Sequence, residues 1–309
     1  MTRENRKVGE DWQNTHRRYF QCGGIIIQVE SGLPITDTTF QPKFRLFQVE
    51  GPGEDTISIR HHFSLPDFKG HNLGTEVYRR SPWAVYKKGD SWVYVGISPA
   101  KEDDHLHRVA VFNHDHTRAL IYNEHEEVFR NGGLHSLTLF PTDQILLARV
   151  LADRQGCLLH ACGVIIDAKG VLFVGHSDAG KSTMATLLKG RAELLCDDRM
   201  IVRRWKDGFR IHGTWSHGDV TEVSANSAPL DAIFFLEQAR ENSVIPVDDR
   251  KEVVKRLLAC VIRPLVTAAW WEKMLDLVGM MAREVPCYVL RFEKSGKVVE
   301  ILGDRLASR

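Results

Sequence analysis

Over roughly the first 125 residues, apolar and polar positions alternate in short runs broken by turn residues. The runs are 23–30 (GGIIIQVE), 44–49, 56–63, 83–86, 91–97, 109–112 and 119–122. A period of two, rich in β-branched and aromatic residues, predicts strands. Lys88-Gly89-Asp90, between two Trp-containing runs, predicts a hairpin turn. No helical period is present here, so an antiparallel β-rich domain is expected over 1–135. Near residue 140 the period changes. Pro141-Thr142-Asp143 opens a run with Ile145, Leu146, Leu147, Val150 and Leu151 at helical spacing, closed by Gly156. That predicts a connecting helix within 136–156. From 157 to 309 strands and helices mix. Two long helical patterns, 248–262 and 265–283, precede an expected last hairpin, 287–293 and 298–302 around Ser295-Gly296. Trp270-Trp271 shares the second pattern with Met274, Leu277, Val278 and Met281, the signature of an apolar helix face in the core or at a subunit contact. The fold class expected is α/β (α+β), with a β-rich domain first.

Composition narrows the functional classes. At 309 residues the chain exceeds what one core usually sustains, in keeping with two domains. Lys plus Arg (41) almost balances Asp plus Glu (40), for a net charge of +1. That supplies no general field for nucleic acid or anionic lipid. No apolar run approaches the ~18–20 residues of a membrane span, and the charged first twenty residues lack a signal peptide's apolar stretch. Six cysteines are scattered without a CxxC pair, as expected of reduced thiols in a cytoplasmic protein. Among 14 histidines, His105/His107 and His114/His116 have a spacing that can chelate zinc. No Cys or further His accompanies them at finger spacing, so solvated loop histidines are the expectation. Arg203, Arg204 and Lys206 follow a strand, either to meet phosphates or to form a solvated face.

The chemistry concentrates in a short stretch. Gly175-His176-Ser177-Asp178-Ala179-Gly180-Lys181-Ser182 matches the Walker A pattern GxxxxGK[ST]. A strand candidate (171–174) runs into it, and Met184, Leu187 and Leu188 mark a helix leaving it through Thr183, with Gly190 as a stop. Converging backbone N–H groups, a lysine for the terminal phosphates and a serine hydroxyl for Mg²⁺ are what nucleotide binding requires. A second strand candidate, 163–167, is separated from Val171 only by Ala168-Lys169-Gly170. So short a link forces an antiparallel hairpin. With its turn centred near Lys169, His160 is expected opposite Ser177 or Asp178, beside bound phosphate; the alternative is a packed histidine flanking Leu158-Leu159. A third element, Glu193-Leu194-Leu195-Cys196-Asp197-Asp198, ends a strand in two carboxylates that can hold Mg²⁺ or accept a proton. Adjacent strand residues point to opposite faces, so the two are expected to do different jobs. The alternative is a solvated acidic turn before Arg199. The polar loop 215–219 is a candidate substrate or metal loop.

His160, the loop 175–182 and Asp197-Asp198-Arg199 together resemble the kinase domain of HPr kinase/phosphorylase at closely similar spacing. The resemblance covers roughly residues 156–215 well. It implies a phosphoenolpyruvate carboxykinase-like P-loop kinase domain over 157–309. Stretches such as Leu158-Leu159-His160-Ala161, Ala228-Pro229-Leu230 and Pro286-Cys287-Tyr288 are similar to HPr-kinase-related proteins of bacterial peptide-modification clusters, some of which phosphorylate serine on a small ribosomal peptide. Three departures stand out. Asp178 replaces a glycine common in the HPr kinase loop. Arg210 and His212 stand where a second signature has Glu and Arg. The first domain is unlike that of ordinary HPr kinases, so HPr is not the expected acceptor.

The resemblance implies an ATP- and Mg²⁺-dependent kinase acting on a hydroxyl, serine of a peptide or protein above all. Residues 175–183 would hold the nucleotide, Ser182 and Asp198 the metal. Asp197, oriented by His160, would accept the proton, and Lys181 would neutralise the phosphates. By analogy alone the two aspartates could trade roles. A kinase of free serine or a similar metabolite, an ATP-binding module without transfer, and an interaction protein with a disused loop are the rival classes. Neither nucleic acid nor membrane is an expected partner, and self-association stays open. The first domain is expected to select the acceptor.

Overall fold

The computed structural model describes residues 16–65, 73–80, 83–96, 108–138, 143–264, 267–294 and 296–307. The chain divides into two compact units, Met1–Leu146 and Leu147–Arg309.

The first unit is built on one sheet. Its strands are β1 (His16–Cys22), β2 (Ile25–Ser31), β3 (Gln48–Val49), β4 (Thr56–His62), β5 (Thr75–Arg80), β6 (Trp83–Lys88), β7 (Ser91–Gly96), β8 (Arg108–Phe112) and β9 (Arg118–Asn123). Their spatial order is β3-β1-β2-β4-β9-β8-β7-β6-β5. The sheet is mixed, not purely antiparallel, because β4 pairs in parallel with both β2 and β9. Long connections make this possible: residues 32–55 return the chain before β4, and the β5–β8 meander intervenes before β9. The run 44–49, expected as a strand, is mostly a 3-10 helix, Pro42–Phe47. Pro42 opens it, and the three-residue spacing of buried Phe44 and Phe47 suits three residues per turn. Lys88 pairs with Ser91, so Gly89-Asp90 forms the expected hairpin turn. Strands β1 and β5 and a short helix α1 (Glu127–Asn131) have no counterpart in the sequence reading.

His105 and His107 lie outside the described residues. The other zinc-spaced pair is parted: His114 is exposed beside Asp115, whereas His116 is buried against Phe112 and hydrogen-bonds the Tyr94 hydroxyl at 2.9 Å. His61 is also buried. Its Nε2 meets the Leu137 carbonyl at 2.8 Å, and Asn123 Nδ2 approaches its Nδ1 at 3.4 Å. Burial drives its pKa from 6.5 down to about 4, with Arg108 and His62 adding repulsion. The unfolded chain therefore binds a proton below pH ~6.5 that the folded chain refuses until about pH 4. Stability contributed by the neutral ring is fully present above pH ~6.5 and is lost as pH falls toward 4, up to about 3 kcal/mol. Urea titrations at pH 7, 5.5 and 4.5 should show the midpoint falling less steeply in His61→Gln than in wild type. An equally steep fall in the variant would contradict this account.

The second unit layers helices on both faces of a second sheet. Its helices are α2 (Asp143–Ala152, which spans the division), α3 (Lys181–Leu188), α4 (Arg250–Cys260), α5 (Ala268–Glu284) and α6 (Lys297–Ala307). Its strands are β10 (Gly156–Ile166), β11 (Lys169–Val174), β12 (Glu193–Cys196), β13 (Arg199–Trp205), β14 (Gly208–His212), β15 (Ser227–Gln238), β16 (Ser243–Pro246) and β17 (Cys287–Phe292). The sheet order is β11-β10-β13-β14-β15-β17-β16, with β12 also on β10 and β11 also on β15. The β11–β15 and β15–β17 pairs are parallel. Alternation along β11 sorts the two cores. Leu172 and Val174 join Trp270, Met274, Leu277, Val278 and Met281 of α5, while Val171 and Phe173 join Met184 and Leu188 of α3 and Val298 and Leu302 of α6. Burial on both faces explains why residues 171–174 read as an unbroken apolar run.

The segment 298–302 is helical, not the second arm of a hairpin. Val298, Val299 and Leu302 are buried and Glu300 is exposed, an i, i+1, i+4 face that a short apolar run cannot distinguish from a strand. Gly156 begins β10 instead of merely closing the preceding helix. All six cysteines are buried, and none is in a disulfide. Among the described residues no helix is long and apolar enough to cross a membrane.

Candidate active site

The site forms at the carboxyl ends of the three parallel strands β11, β15 and β17, where open α/β sheets place their ligands. Val174 ends β11, residues 175–180 turn, and α3 begins at Lys181. The turn needs two left-handed residues, Asp178 (φ 64°) and Gly180 (φ 104°). Aspartate tolerates this region better than most residues, so the loop forms without the glycine common in HPr kinases. At Gly180 a Cβ would fall 2.5 Å from the Phe292 ring, so the loop seats directly on the end of β17. Gln238, at the end of β15, donates from Nε2 to the Asp178 carbonyl at 2.6 Å. The ends of β15 and β17 thus hold the loop's shape.

Lys181 is buried and points back into the loop. Its Nζ donates to the carbonyls of Gly175 (3.1 Å) and His176 (2.9 Å). Burial pushes its pKa down, and the charge of Asp198 opposes that shift. A pocket of about 230 Å³ opens beside it, lined by Asp178, Gly180, Lys181, Ser182, Thr183, Asp219, Gln238 and Lys294. His176 and Ser177 are exposed on the loop, and Ala179 packs its Cβ near Gly175.

The two aspartates divide as adjacent strand-end residues should, but with partners opposite to those expected. Asp197 is buried, and Ser182 Oγ donates to its Oδ2 at 2.9 Å. The backbone N–H groups of Gly218 (2.6 Å, to Oδ1) and Val220 (3.0 Å, to Oδ2) complete its shell. Asp198 instead meets His160 Nε2 at 2.9 Å and Arg199 Nη1 at 2.5 Å. Burial would raise its pKa, but the His160 hydrogen bond and the Arg199 and Lys181 charges prevail and hold the carboxyl below its ordinary value. The pairings expected from sequence, Ser182 with Asp198 and His160 with Asp197, are therefore exchanged.

Register supplies the reason. The β10–β11 hairpin turns at Asp167-Ala168, both at positive φ, and its last pair is Ala161 with Val174. The turn is thus nearer the N-terminus than Lys169, and the histidine lies short of Ser177. On its other side β10 pairs with β13, where His160 faces Arg199, next to Asp198. The strand that follows the aspartates, not the hairpin, brings His160 into the site.

Other sequence candidates have structural partners. Arg203 stacks its guanidinium over Trp205 at 4.4 Å, and Arg204 pairs with Glu284 at 3.0 Å. Arg210 and His212 lie on β14; His212 is buried, and burial with the nearby Arg203 and Arg210 lowers its pKa to about 4. The 215–219 loop joins the site through Gly218 N–H and Asp219. Gln238 and Lys294 escaped the sequence reading. Each ends or follows a strand without any motif, and only strand pairing reveals that these ends meet.

Ser182 Oγ and the Asp197 carboxylate are hard oxygen donors suited to Mg²⁺, directly or through water. Among the described residues no group of three or more His, Cys, Asp or Glu could hold a metal ion by itself. Mg²⁺ commonly completes its octahedron with water and substrate phosphate, so this sparse donor set fits the ion.

Fold and site define a mixed α/β, sheet-rich protein whose second unit gathers a glycine loop, a helix N-terminus and paired aspartates at one end of a parallel strand set. The chain belongs to the ScmC family: the model described as SynChlorMet cassette protein ScmC matches residues 141–306. Among solved structures, the Hpr(Ser) kinase/phosphatase from Coxiella burnetii is 13% identical over 41% of this chain and 92% of its own, with a TM-score of 0.23. A likeness that slight carries no weight for function. No curated protein matches the chain.

Proposed function

We propose that the second unit is an ATP- and Mg²⁺-dependent kinase that transfers the γ-phosphoryl group to a hydroxyl, serine of a peptide or protein above all. The observation that carries this reading is the separation of tasks at the β12 end: Asp197 is committed to Ser182 and two amides, while Asp198 is held ionised by His160 and Arg199. Loop amides and Lys181 would cradle the β- and γ-phosphates. Mg²⁺, when bound, would supply positive charge to offset that of the phosphates. Ser182 would hold it, with Asp197 orienting the Ser182 hydroxyl and offering a second oxygen donor. Asp198 would take the acceptor hydroxyl's proton as that oxygen bonds to phosphorus and the bond to the ADP oxygen breaks. His160 would orient Asp198, and Arg199 would steady it.

Products formed from labelled ATP test the reading. Label on a serine-containing peptide supports it, label on free serine or another metabolite moves it to a small-molecule kinase, and label in inorganic phosphate or nowhere refutes transfer. A nucleotide-binding module without transfer is the second reading, favoured by Asp178, which lines the phosphate pocket.

We assign acceptor recognition to the first unit. The residues with chemical roles all lie in the second, and β5 ends the first unit's sheet as an edge able to pair with an extended peptide. Hydrogen exchange with a phosphorylatable peptide present should show new protection within residues 16–138. Protection confined to the second unit would refute the assignment.

A further inference from the structure

The phosphate pocket contains more charge than its motif explains. Besides Lys181 it is lined by two acidic residues, Asp178 and Asp219, and by the exposed Lys294, two residues beyond the end of β17. The motif's one lysine is buried against loop carbonyls, and its strongest acidic influence is Asp198. A polyphosphate adding several negative charges beside two carboxylates is therefore stabilised by a further cation besides Lys181 and Mg²⁺.

Lys294 is built to be that cation. Its chain segment is fixed from three sides. The Phe292 carbonyl accepts from Ala239 N–H at 3.0 Å, Glu293 N–H donates to Asn242 Oδ1 at 2.9 Å, and the Phe292 ring lies against Gly180 of the loop. The side chain itself has no hydrogen bond or ion pair to another described residue. A rigidly placed backbone thus presents an uncommitted ammonium at the wall of the pocket that the start of α3 also lines. A lysine can follow a polyphosphate chain as a mobile point charge, and its exposure lets it do so with little desolvation.

We propose that Lys294 contacts the nucleotide's polyphosphate as a second cation, offsetting the repulsion introduced by Asp178 and Asp219. The assignment rests on the nucleotide-binding reading of the loop, and the test separates the two. Dissociation constants of Mg·ATP and of inorganic tripolyphosphate would be measured by calorimetry for wild type, Lys181→Ala, Lys294→Ala, Lys294→Arg and Lys297→Ala. Lys294→Ala should weaken both ligands by about three- to fivefold, as expected for one partly screened charge pair. Lys294→Arg should stay within about twofold of wild type, and Lys297→Ala, an exposed control on α6, should match wild type. If Lys181→Ala weakens binding while Lys294→Ala does not, the second cation is refuted and the loop reading stands. Loss of ATP affinity alone, with tripolyphosphate affinity intact, also refutes a phosphate contact. Unchanged binding in both Lys181→Ala and Lys294→Ala overturns the nucleotide-binding reading itself.

Discussion

With Asp198 replaced by Asn, phosphoryl transfer is expected to fall by about two to four orders of magnitude, the range for loss of a positioned general base. ATP affinity should change by less than about threefold, because a base acts on the transition state more than on the bound nucleotide. The asparagine keeps an acceptor for Arg199 and retains the shape of the site, so melting should be little altered. Asp197→Asn should behave differently. Its carboxylate accepts from Ser182 Oγ and from the Gly218 and Val220 amides, and an amide group would turn a donor toward one of them. A stability loss of about 1–3 kcal/mol should accompany its loss of activity. Single-turnover transfer and thermal melts of the two variants check the assignment. Full transfer in Asp198→Asn would return the base to Asp197 or dispense with it.

Lys181→Ala is expected to weaken ATP binding by about tenfold or more, roughly 1.4 kcal/mol, with the fold intact. Removing a buried ammonium also leaves the Gly175 and His176 carbonyls without their donor, but these sit beside an open pocket where water can replace it. Calorimetry on folded variant protein decides. An unchanged dissociation constant would sink the claim that the loop binds nucleotide phosphates.

The elements most legible in the sequence are those whose burial is one-sided or uniform. Helices α4 and α5 are legible because Val253, Leu257 and Cys260, and then Trp270, Met274, Leu277, Val278 and Met281, recur at helical spacing and are the buried residues. β6 and β7 are legible from alternation and the Gly89-Asp90 turn. Misreadings arise where a short run satisfies two periods, as at 298–302, or where three-residue spacing mimics alternation, as at 44–49. The parallel pairings of β4 are illegible, since strand direction depends on how distant segments return and not on the strand's own pattern.

At the site, local sequence by itself determined the glycine loop, the lysine and serine that follow it, and the existence of two strand-end aspartates with different tasks. These depend on neighbours in the chain: a strand feeding a helix N-terminus, and the opposed directions of adjacent strand residues. Tertiary structure alone decided which aspartate meets which partner. His160 reaches Asp198 through the register of β10 with β13, and Asp197 reaches Ser182 because β12 and α3 both lie near β10. It alone also brought Gln238, Asp219 and Lys294 to the pocket, from segments far apart in the chain. Register can slip by one residue without changing any local propensity, yet each slip turns every side chain to the other face. A histidine's partner therefore becomes definite only when the whole sheet closes.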